Sequence, residues 1–184
     1  MIKIDKDLIQ SDAFSNLLEK GESLTFKKGD LIVQSGKICN YLFLVESGLL
    51  RNFYYDIKGN DITHWFAKEE MLMTIPPSFF YHEESVFNIE AIENTQVRAF
   101  SHNNLEDALL HSRIIERFGR ELITQIMIAL GKKVIDMQTK RASERYKDFA
   151  KSQPDIFRRA NLGHIASYLG ITQQSLSRVR SCIK

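Results

Sequence analysis

The feature that most constrains this chain is a long stretch without proline, residues 104–138, in which apolar residues recur at spacings of three and four. Such spacing predicts an amphipathic helix. The helix has two apolar stripes, so one packing surface cannot bury both of them. The first stripe consists of Ile115, Phe118, Leu122 and Ile126, and the second of Ile123, Met127, Leu130, Val134 and Met137.

The second stripe needs a packing partner of its own. Its alternating spacing averages about 3.5 residues, which favours a seam between two helices that supercoil around each other. We therefore expect the stripe to pair with its copy in a second subunit and to form a homodimer. The alternative is that another part of the same chain buries it. Gly119 and Gly131 each lower helix propensity by about 1 kcal/mol relative to alanine and permit a bend or a close approach.

Ahead of the long helix, residues 24–100 alternate short β-rich runs with turn signals that contain glycine. Residues 41–45 are apolar at every position, as in a strand that is covered on both faces. Residues 50–55 are expected to pair with them as a hairpin across Gly48. One short amphipathic helix is predicted at residues 7–18. The pattern predicts an α+β chain that begins with an antiparallel β-roll of the jelly-roll type.

The end of the chain has the pattern of a helix-turn-helix. Helices are predicted at residues 140–152, ending before Pro154, at 161–169 and at 172–183, with a break at Gly170. Ala166 is small where the second helix crosses, Gly170 permits a positive φ in the turn, and Thr172 is placed to cap the second helix. The small core between the helices is expected to consist of Ile165, Leu169, Ile171, Leu176 and Val179.

The second helix of this motif presents polar and basic side chains and no acid. Glutamine can bind adenine edges, arginine can bind guanine edges, and hydroxyls near a helix N-terminus can bind phosphate. We therefore expect double-stranded DNA to be the partner. The predicted DNA-binding residues are Thr172, Gln173, Gln174, Ser177, Arg178, Arg180, Ser181 and Lys184.

The charge distribution agrees with a polyanionic partner. From residue 138 onward the chain has 10 basic and 3 acidic residues, whereas residues 1–137 have 15 basic and 20 acidic ones. A basic end on an acidic body suits DNA, because each neutralised phosphate releases condensed counterions. A solvated basic surface would have the same composition, so the charge supports the motif and does not replace it.

Together the two regions resemble the Crp/Fnr family of bacterial transcription regulators. Residues 26–30, Gly36 and residues 41–51 are similar to the opening strands of its cyclic nucleotide-binding β-roll, and residues 165–172 and 176–180 are similar to its DNA-reading module. The resemblance implies a β-roll sensor at residues 1–103, a long dimerisation helix at 104–138 and a helix-turn-helix domain at 139–184. It also implies a homodimer that presents two recognition helices to successive major grooves, with RNA polymerase as a candidate partner.

The sequence departs from the family where members that bind cyclic AMP hold the nucleotide. Those members have a Gly-Glu pair for the ribose and an Arg followed by Ser or Thr for the phosphate. The corresponding places here hold Met73 with Thr74 and Ser85 with Val86, and residues 71–84 contain no arginine. A cyclic phosphate would lack a cationic partner, so we expect these four residues to line a site for a different, more apolar effector, or for none. The β-hairpin wing that follows the recognition helix in many relatives is expected to be missing or truncated.

Other chemistries lack the residues that they need. Two cysteines cannot form the cluster of an iron–sulfur sensor, and five scattered histidines give no reason to expect haem or a metal. We therefore expect no cofactor and no catalytic residue. The chain shows neither a signal peptide nor a run of about 20 apolar residues, which favours a cytoplasmic location without membrane contact. The alternatives are a cupin-like metalloenzyme, which needs closely spaced His and Glu, and a dimeric interaction module that does not bind DNA.

Overall fold

The computed structural model describes residues 10–181. Within this range the N-terminal part contains eight strands that lie in two four-stranded antiparallel sheets. The strands are β1 (Glu22–Phe26), β2 (Leu31–Val33), β3 (Tyr41–Ser47), β4 (Leu50–Tyr55), β5 (Asp61–Ala67), β6 (Leu72–Met73), β7 (Asn88–Ala91) and β8 (Thr95–Ser101). One sheet has the order β1-β8-β3-β6 and the other β2-β7-β4-β5. The two sheets form the predicted jelly-roll-like β-roll.

Helices flank the roll and follow it along the chain. One of them, α2, lies within the roll between β6 and β7 and was not predicted. The described helices are α1 (Asp12–Lys20), α2 (Pro76–Tyr81), α3 (His102–His111), α4 (Arg113–Thr139), α5 (Ala142–Ser152), α6 (Pro154–Arg159), α7 (Leu162–Tyr168) and α8 (Gln173–Ser181). Helix α1 begins later than the predicted 7–18 and ends later, and residues 7–9 of that prediction lie outside the described residues. No described helix has the length and apolar character needed to span a bilayer.

The predicted hairpin between residues 41–45 and 50–55 is wrong. Strand β3 pairs with β6 and β8, whereas β4 pairs with β5 and β7 in the other sheet. The chain crosses between the sheets at Gly48, which has φ +100°, and a Cβ there would lie 2.6 Å from the Thr95 backbone. Glycine is therefore required at this crossing, and the turn signal marks a change of sheet.

The prediction that residues 41–45 are covered on both faces is confirmed. Phe43 and Val45 point into the core between the two sheets. Leu42 and Leu44 point the other way and pack in a second cluster with residues of α1, α3 and α4. Alternate side chains of one strand thus serve two cores, which explains why the sequence lacks the usual alternation.

The predicted single helix at residues 104–138 is divided in two. Ser112 leaves the helical conformation, with φ −133° and ψ 109°, and separates α3 from α4. Its hydroxyl accepts a hydrogen bond from the N–H of Ile115 and so caps the start of α4. The break lets α3 pack beside the roll while α4 continues toward the C-terminal helices. Ile115 of the first stripe is buried there, and Phe118 packs against the same cluster.

Candidate nucleic-acid interface

Helices α7 and α8 form the predicted helix-turn-helix. Gly170 has φ +65° in the turn between them, as expected for a position that favours glycine. The hydroxyl of Thr172 accepts a hydrogen bond from the N–H of Ser175 at 3.1 Å, so Thr172 caps α8 as predicted. The Ile171 N–H donates to the carbonyl of Ala166 at 3.0 Å and holds the turn against α7.

The core between the two helices is close to the predicted one. Ile165 and Leu176 are fully buried, and Leu169 and Ala166 are nearly so. Ile171 packs against the same cluster, and the side chain of Val179 lies outside the described residues. The small residue, the glycine turn and the apolar spacing therefore have the structural roles that their sequence pattern indicates.

One face of α8 is open to solvent. Gln173, Gln174, Ser177 and Arg178 are all exposed, and no acid lies between residues 173 and 181. Thr172 is exposed as well, but its hydroxyl is already engaged in the cap. The side chains of Arg180 and Ser181, and the whole of Lys184, lie outside the described residues. The structure thus leaves five of the eight predicted DNA-binding residues exposed, one at the N-cap of α8 and four on the helix itself.

Part of the basic charge of the C-terminal region has a structural role. The Arg145 guanidinium donates to the carbonyls of Leu169 and Lys140. Arg159 forms ion pairs with Glu69 and Glu93, which belong to the roll. These bonds to Arg159, with burial opposing them, lower the pKa of Glu69 to about 2. The net charge therefore overstates the basic surface that is available to a polyanion. Exposed bases on that surface include Lys147, Lys151 and Arg158.

Helices α5–α8 (residues 142–181), here called the helix-turn-helix unit, pack on the outside of the roll. Leu49 and Phe66 of the roll belong to the same buried cluster as Ile165 and Ala166 of α7. Helix α7 lies along β5, and the ring centroids of Phe66 and Tyr168 are 5.5 Å apart. This contact could not be predicted from the sequence, because nothing in the local pattern of α7 distinguishes a roll-facing side chain from an exposed one.

A group of charged residues lies between the unit and the roll. The fully buried Arg51 of β4 forms ion pairs with Asp61 and Glu90 and donates to the hydroxyl of Thr63. His164 of α7 lies beside this group, with its Nε2 3.9 Å from the carboxylate of Glu90. Burial and the charge of Arg51 lower the pKa of His164 to about 4, although Asp61 acts in the opposite direction. His164 is therefore neutral at neutral pH when the unit is docked.

The four predicted effector residues have different environments. Met73 is buried in the core of the roll. The Thr74 hydroxyl donates to the carbonyl of Tyr41, and the Ser85 hydroxyl donates to the carbonyl of Phe87 and accepts from its N–H. Val86 is exposed. The polar atoms of Thr74 and Ser85 are thus engaged by the chain's own backbone.

The second stripe of the long helix is open in the single chain. Ile123, Met127, Val134 and Met137 are exposed, and Leu130 is half-buried. Ile128 and Ile135 of the same helix are also exposed, at 66% and 58%. The alternative that the described part of the same chain buries this stripe is therefore wrong. Exposed large apolar side chains in a continuous stripe are typical of a protein–protein interface.

Comparisons with known proteins agree with this architecture. Residues 23–112 match the family of the cyclic nucleotide-binding domain. The structure of FixK2 from Bradyrhizobium japonicum superposes with a TM-score of 0.77 at 19% identity, covering 89% of this chain and 84% of FixK2. A Crp/Fnr family transcriptional regulator from Eubacterium rectale superposes with a TM-score of 0.71 at 18% identity, covering 92% and 81%.

A third structure, a mutant of CooA from Carboxydothermus hydrogenoformans, superposes with a TM-score of 0.75 at 16% identity, covering 98% of this chain and 84% of CooA. No curated protein matches the chain in sequence. Because the identities are low, the likeness to these solved structures establishes the fold alone. The predicted α+β class and the resemblance in architecture are confirmed.

Proposed function

We propose that this chain, which has the fold of the Crp/Fnr regulators and matches the cyclic nucleotide-binding domain at residues 23–112, is a homodimeric, sequence-specific DNA-binding transcription regulator. Helix α8 is the recognition helix. A cytoplasmic location and contact with RNA polymerase belong to the same proposal. The proposal keeps the division into a sensor at residues 1–103, a dimerisation region at 104–138 and a helix-turn-helix domain at 139–184.

The observation that carries the proposal is the exposed face of α8, which we call the reading face and which consists of Gln173, Gln174, Ser177 and Arg178. It combines two glutamines, a serine and an arginine, with no acid to repel phosphate. A helix of this kind enters the major groove, where glutamine binds adenine edges and arginine binds guanine edges in a bidentate manner. Because Thr172 and Gly170 fix how the helix starts, the first turn of α8 has a defined direction. These features support reading of base pairs by Gln173, Gln174 and Arg178.

The open stripe of α4 supports a dimer. A second copy would bury Met127, Leu130 and Val134 in a helix–helix seam. Two-fold symmetry then places the two recognition helices in successive major grooves, about 34 Å apart. Ile123 and Met137 extend the seam toward the ends of the helix.

We further propose that the effector, where one acts, is not a cyclic nucleotide. The region of Thr74 and Ser85 offers no arginine, and both hydroxyls are engaged within the chain. A cyclic phosphate placed there would remain without a cationic partner. Native mass spectrometry of protein purified gently from its own host tests this part, because it reports the oligomer and any retained small molecule together. A dimer that carries cyclic AMP would contradict it.

The DNA-reading role of α8 is tested with a duplex selected by the protein from a random pool. Arg178→Ala is expected to weaken binding to this duplex by about 1 to 3 kcal/mol if the arginine binds a base. Lys58→Ala is the matched control, because Lys58 is also exposed but lies in the turn between β4 and β5 of the roll, outside the helix-turn-helix unit. Titration by fluorescence anisotropy at one fixed salt concentration gives both affinities. Equal affinities for Arg178→Ala and the unaltered protein would reject α8 as the recognition helix.

A further inference from the structure

The open edge of one sheet of the roll is covered by two helices from the rest of the chain. Strand β5 is at the edge of its sheet, and its pairing with β4 skips His64, because Asn52 pairs with Trp65 and Phe53 with Thr63. A skipped residue of this kind is a β-bulge, which turns backbone groups away from the regular ladder. We refer to residues 63–65 as the His64 bulge.

Helix α7 caps the bulge from the side of the helix-turn-helix unit. The hydroxyl of Ser167 accepts a hydrogen bond from the Thr63 N–H at 3.0 Å and lies 2.9 Å from the Thr63 hydroxyl. Thr63 is 2% exposed, so water has little access to its N–H. A buried N–H without a partner is costly, and the bond to Ser167 therefore favours a single position of α7 on the strand.

Helix α4 caps the same bulge from a second direction. The ammonium of Lys133 donates to the carbonyl of His64 at 2.9 Å and lies 4.0 Å above the ring of Tyr168 on α7. Burial lowers the pKa of Lys133 to about 8, as expected for an amine with little hydration. One side chain thus contacts β5 and α7 at once. Leu130 and Val134, which we assign to the dimer seam, are close neighbours of Lys133 on α4.

The docked position leaves the reading face accessible. Gln173, Gln174 and Arg178 are exposed while Ser167 and Tyr168 of α7 face the roll. The contact at the bulge therefore orients the helix-turn-helix unit without covering the surface that meets DNA.

We propose that the His64 bulge couples the sensor to the helix-turn-helix unit by holding α7 at one position relative to both β5 and α4 in the DNA-binding state. The proposal rests on the proposed function. A shift of β5 within the roll would move α7 through the bond to Ser167, and a shift of α4 at the seam would move α7 through the contact of Lys133 with Tyr168. This route lies within one subunit and is additional to the helix seam. Ser167 and Lys133 are positioning residues, since neither belongs to the reading face.

The test uses the full-length protein with Lys133→Met and Ser167→Ala, separately and together. Lys132→Met is the matched control, because Lys132 is adjacent on α4 but points to solvent, with its side chain 69% exposed. Lys133→Arg keeps a cation and an N–H donor and serves as the rescue variant. Two quantities are measured for each variant. They are the affinity for the selected duplex and the hydrogen-exchange rate of the Thr63 amide.

We expect Lys133→Met and Ser167→Ala each to weaken DNA binding about tenfold and to accelerate exchange at Thr63, with a smaller change for Lys133→Arg and none for Lys132→Met. The double variant is expected to lose less than the product of the single losses, because both side chains hold the same helix. Affinities within about twofold of the unaltered protein, or a gain in affinity, would overturn the proposal.

The two proposals can fail separately. If the unaltered protein selects no duplex, the proposed function fails, and the exchange rates alone decide the coupling. Faster exchange at both Thr63 and α7 in the Lys133→Met variant then supports the proposal that the contact at the His64 bulge holds the unit on the roll. Unchanged exchange at both places would overturn it.

Discussion

The β-roll and the helix-turn-helix unit bury their cores in different ways. The roll closes its core with its own side chains, among them Phe43 and Val45 from one sheet and Ile89 from the other. The unit combines Ile165 and other residues of its helices with side chains of the roll. The roll therefore has a core of its own, whereas the unit is completed by the outer surface of the roll.

Size explains the difference. A unit of about 40 residues buries too little apolar surface to be stable without help from a partner, a metal or disulfides. Here Leu49 and Phe66 of the roll supply part of the missing surface. The sequence predicts a domain boundary at residue 139, but the core of the unit also contains residues of the roll, which lie before that boundary. The position of the recognition helix consequently depends on the roll.

The largest expected effect comes from removing the aromatic ring that the roll contributes to the core of the unit. Phe66→Ala is expected to cost about 3 to 5 kcal/mol, because a buried ring is lost and a cavity remains. The loss should appear first in the helix-turn-helix unit. Residue-resolved hydrogen exchange, compared with the unaltered protein, should therefore accelerate more in α7 than in β8.

Phe43→Ala is the matched control for this prediction. Phe43 is as buried as Phe66, at 2% against 3%, but it lies in the roll's own core. Its removal is expected to accelerate exchange in β3 and β8 at least as much as in α7. If both variants gave the same exchange pattern, the distinction between a self-contained and a shared core would be wrong.

A smaller effect is expected from mild acid. The pKa of His164 is about 4 in the docked state, below its ordinary value of 6.5. The unfolded chain therefore binds the proton more readily, so the folded state with the unit docked is most stable above pH 6.5 and loses stability as the pH falls from 6.5 to 4. The loss amounts to about 2 to 3 kcal/mol, because each pH unit between the two pKa values corresponds to about 1.4 kcal/mol.

The titration is followed as the midpoint of thermal unfolding between pH 7 and pH 4.5. His164→Gln is expected to flatten the dependence in this window. His111→Gln is the control, because His111 is 75% exposed and lies on α3, away from the unit. An unchanged pH dependence in His164→Gln would remove His164 from the contact between unit and roll.

The smallest effect is expected at the ion pairs around Arg159. Glu69→Gln is expected to cost about 1 kcal/mol, since the carboxylate is 40% exposed and water screens the pair. The pKa of Glu69 lies near 2, below the ordinary 4.5, so its contribution is lost only as the pH falls from 4.5 toward 2. Glu70→Gln, at an exposed neighbouring carboxylate, is the control. Urea unfolding at pH 7 measures both variants, and equal stabilities would show that the pairs do not hold the unit.

The sequence predicts those parts of the fold that depend on neighbours along the chain. The spacing of Ile165, Leu169 and Leu176 and the glycine at 170 lead directly to the helix-turn-helix. The break at Ser112 could also have been found, because serine is a preferred N-cap and its hydroxyl caps α4 here.

Contacts between distant segments could not be predicted in the same way. The assignment of β3 and β4 to different sheets depends on which strands pair across the whole roll. The roles of Lys133 and Ser167 depend on how α4, α7 and the edge of β5 meet. A lysine and a serine on helices are usually solvated, and nothing in their immediate sequence marks them as buried partners.

The most direct test of the account is the symmetry of the DNA site that the protein selects from a random pool of duplexes. A homodimer with an exposed recognition helix on each subunit predicts enrichment of two inverted half-sites, with centres about 10 base pairs apart. Arg178→Ala should relax the preference at one position in each half. A pool that shows no enrichment, or a single half-site without its inverted partner, would contradict the account.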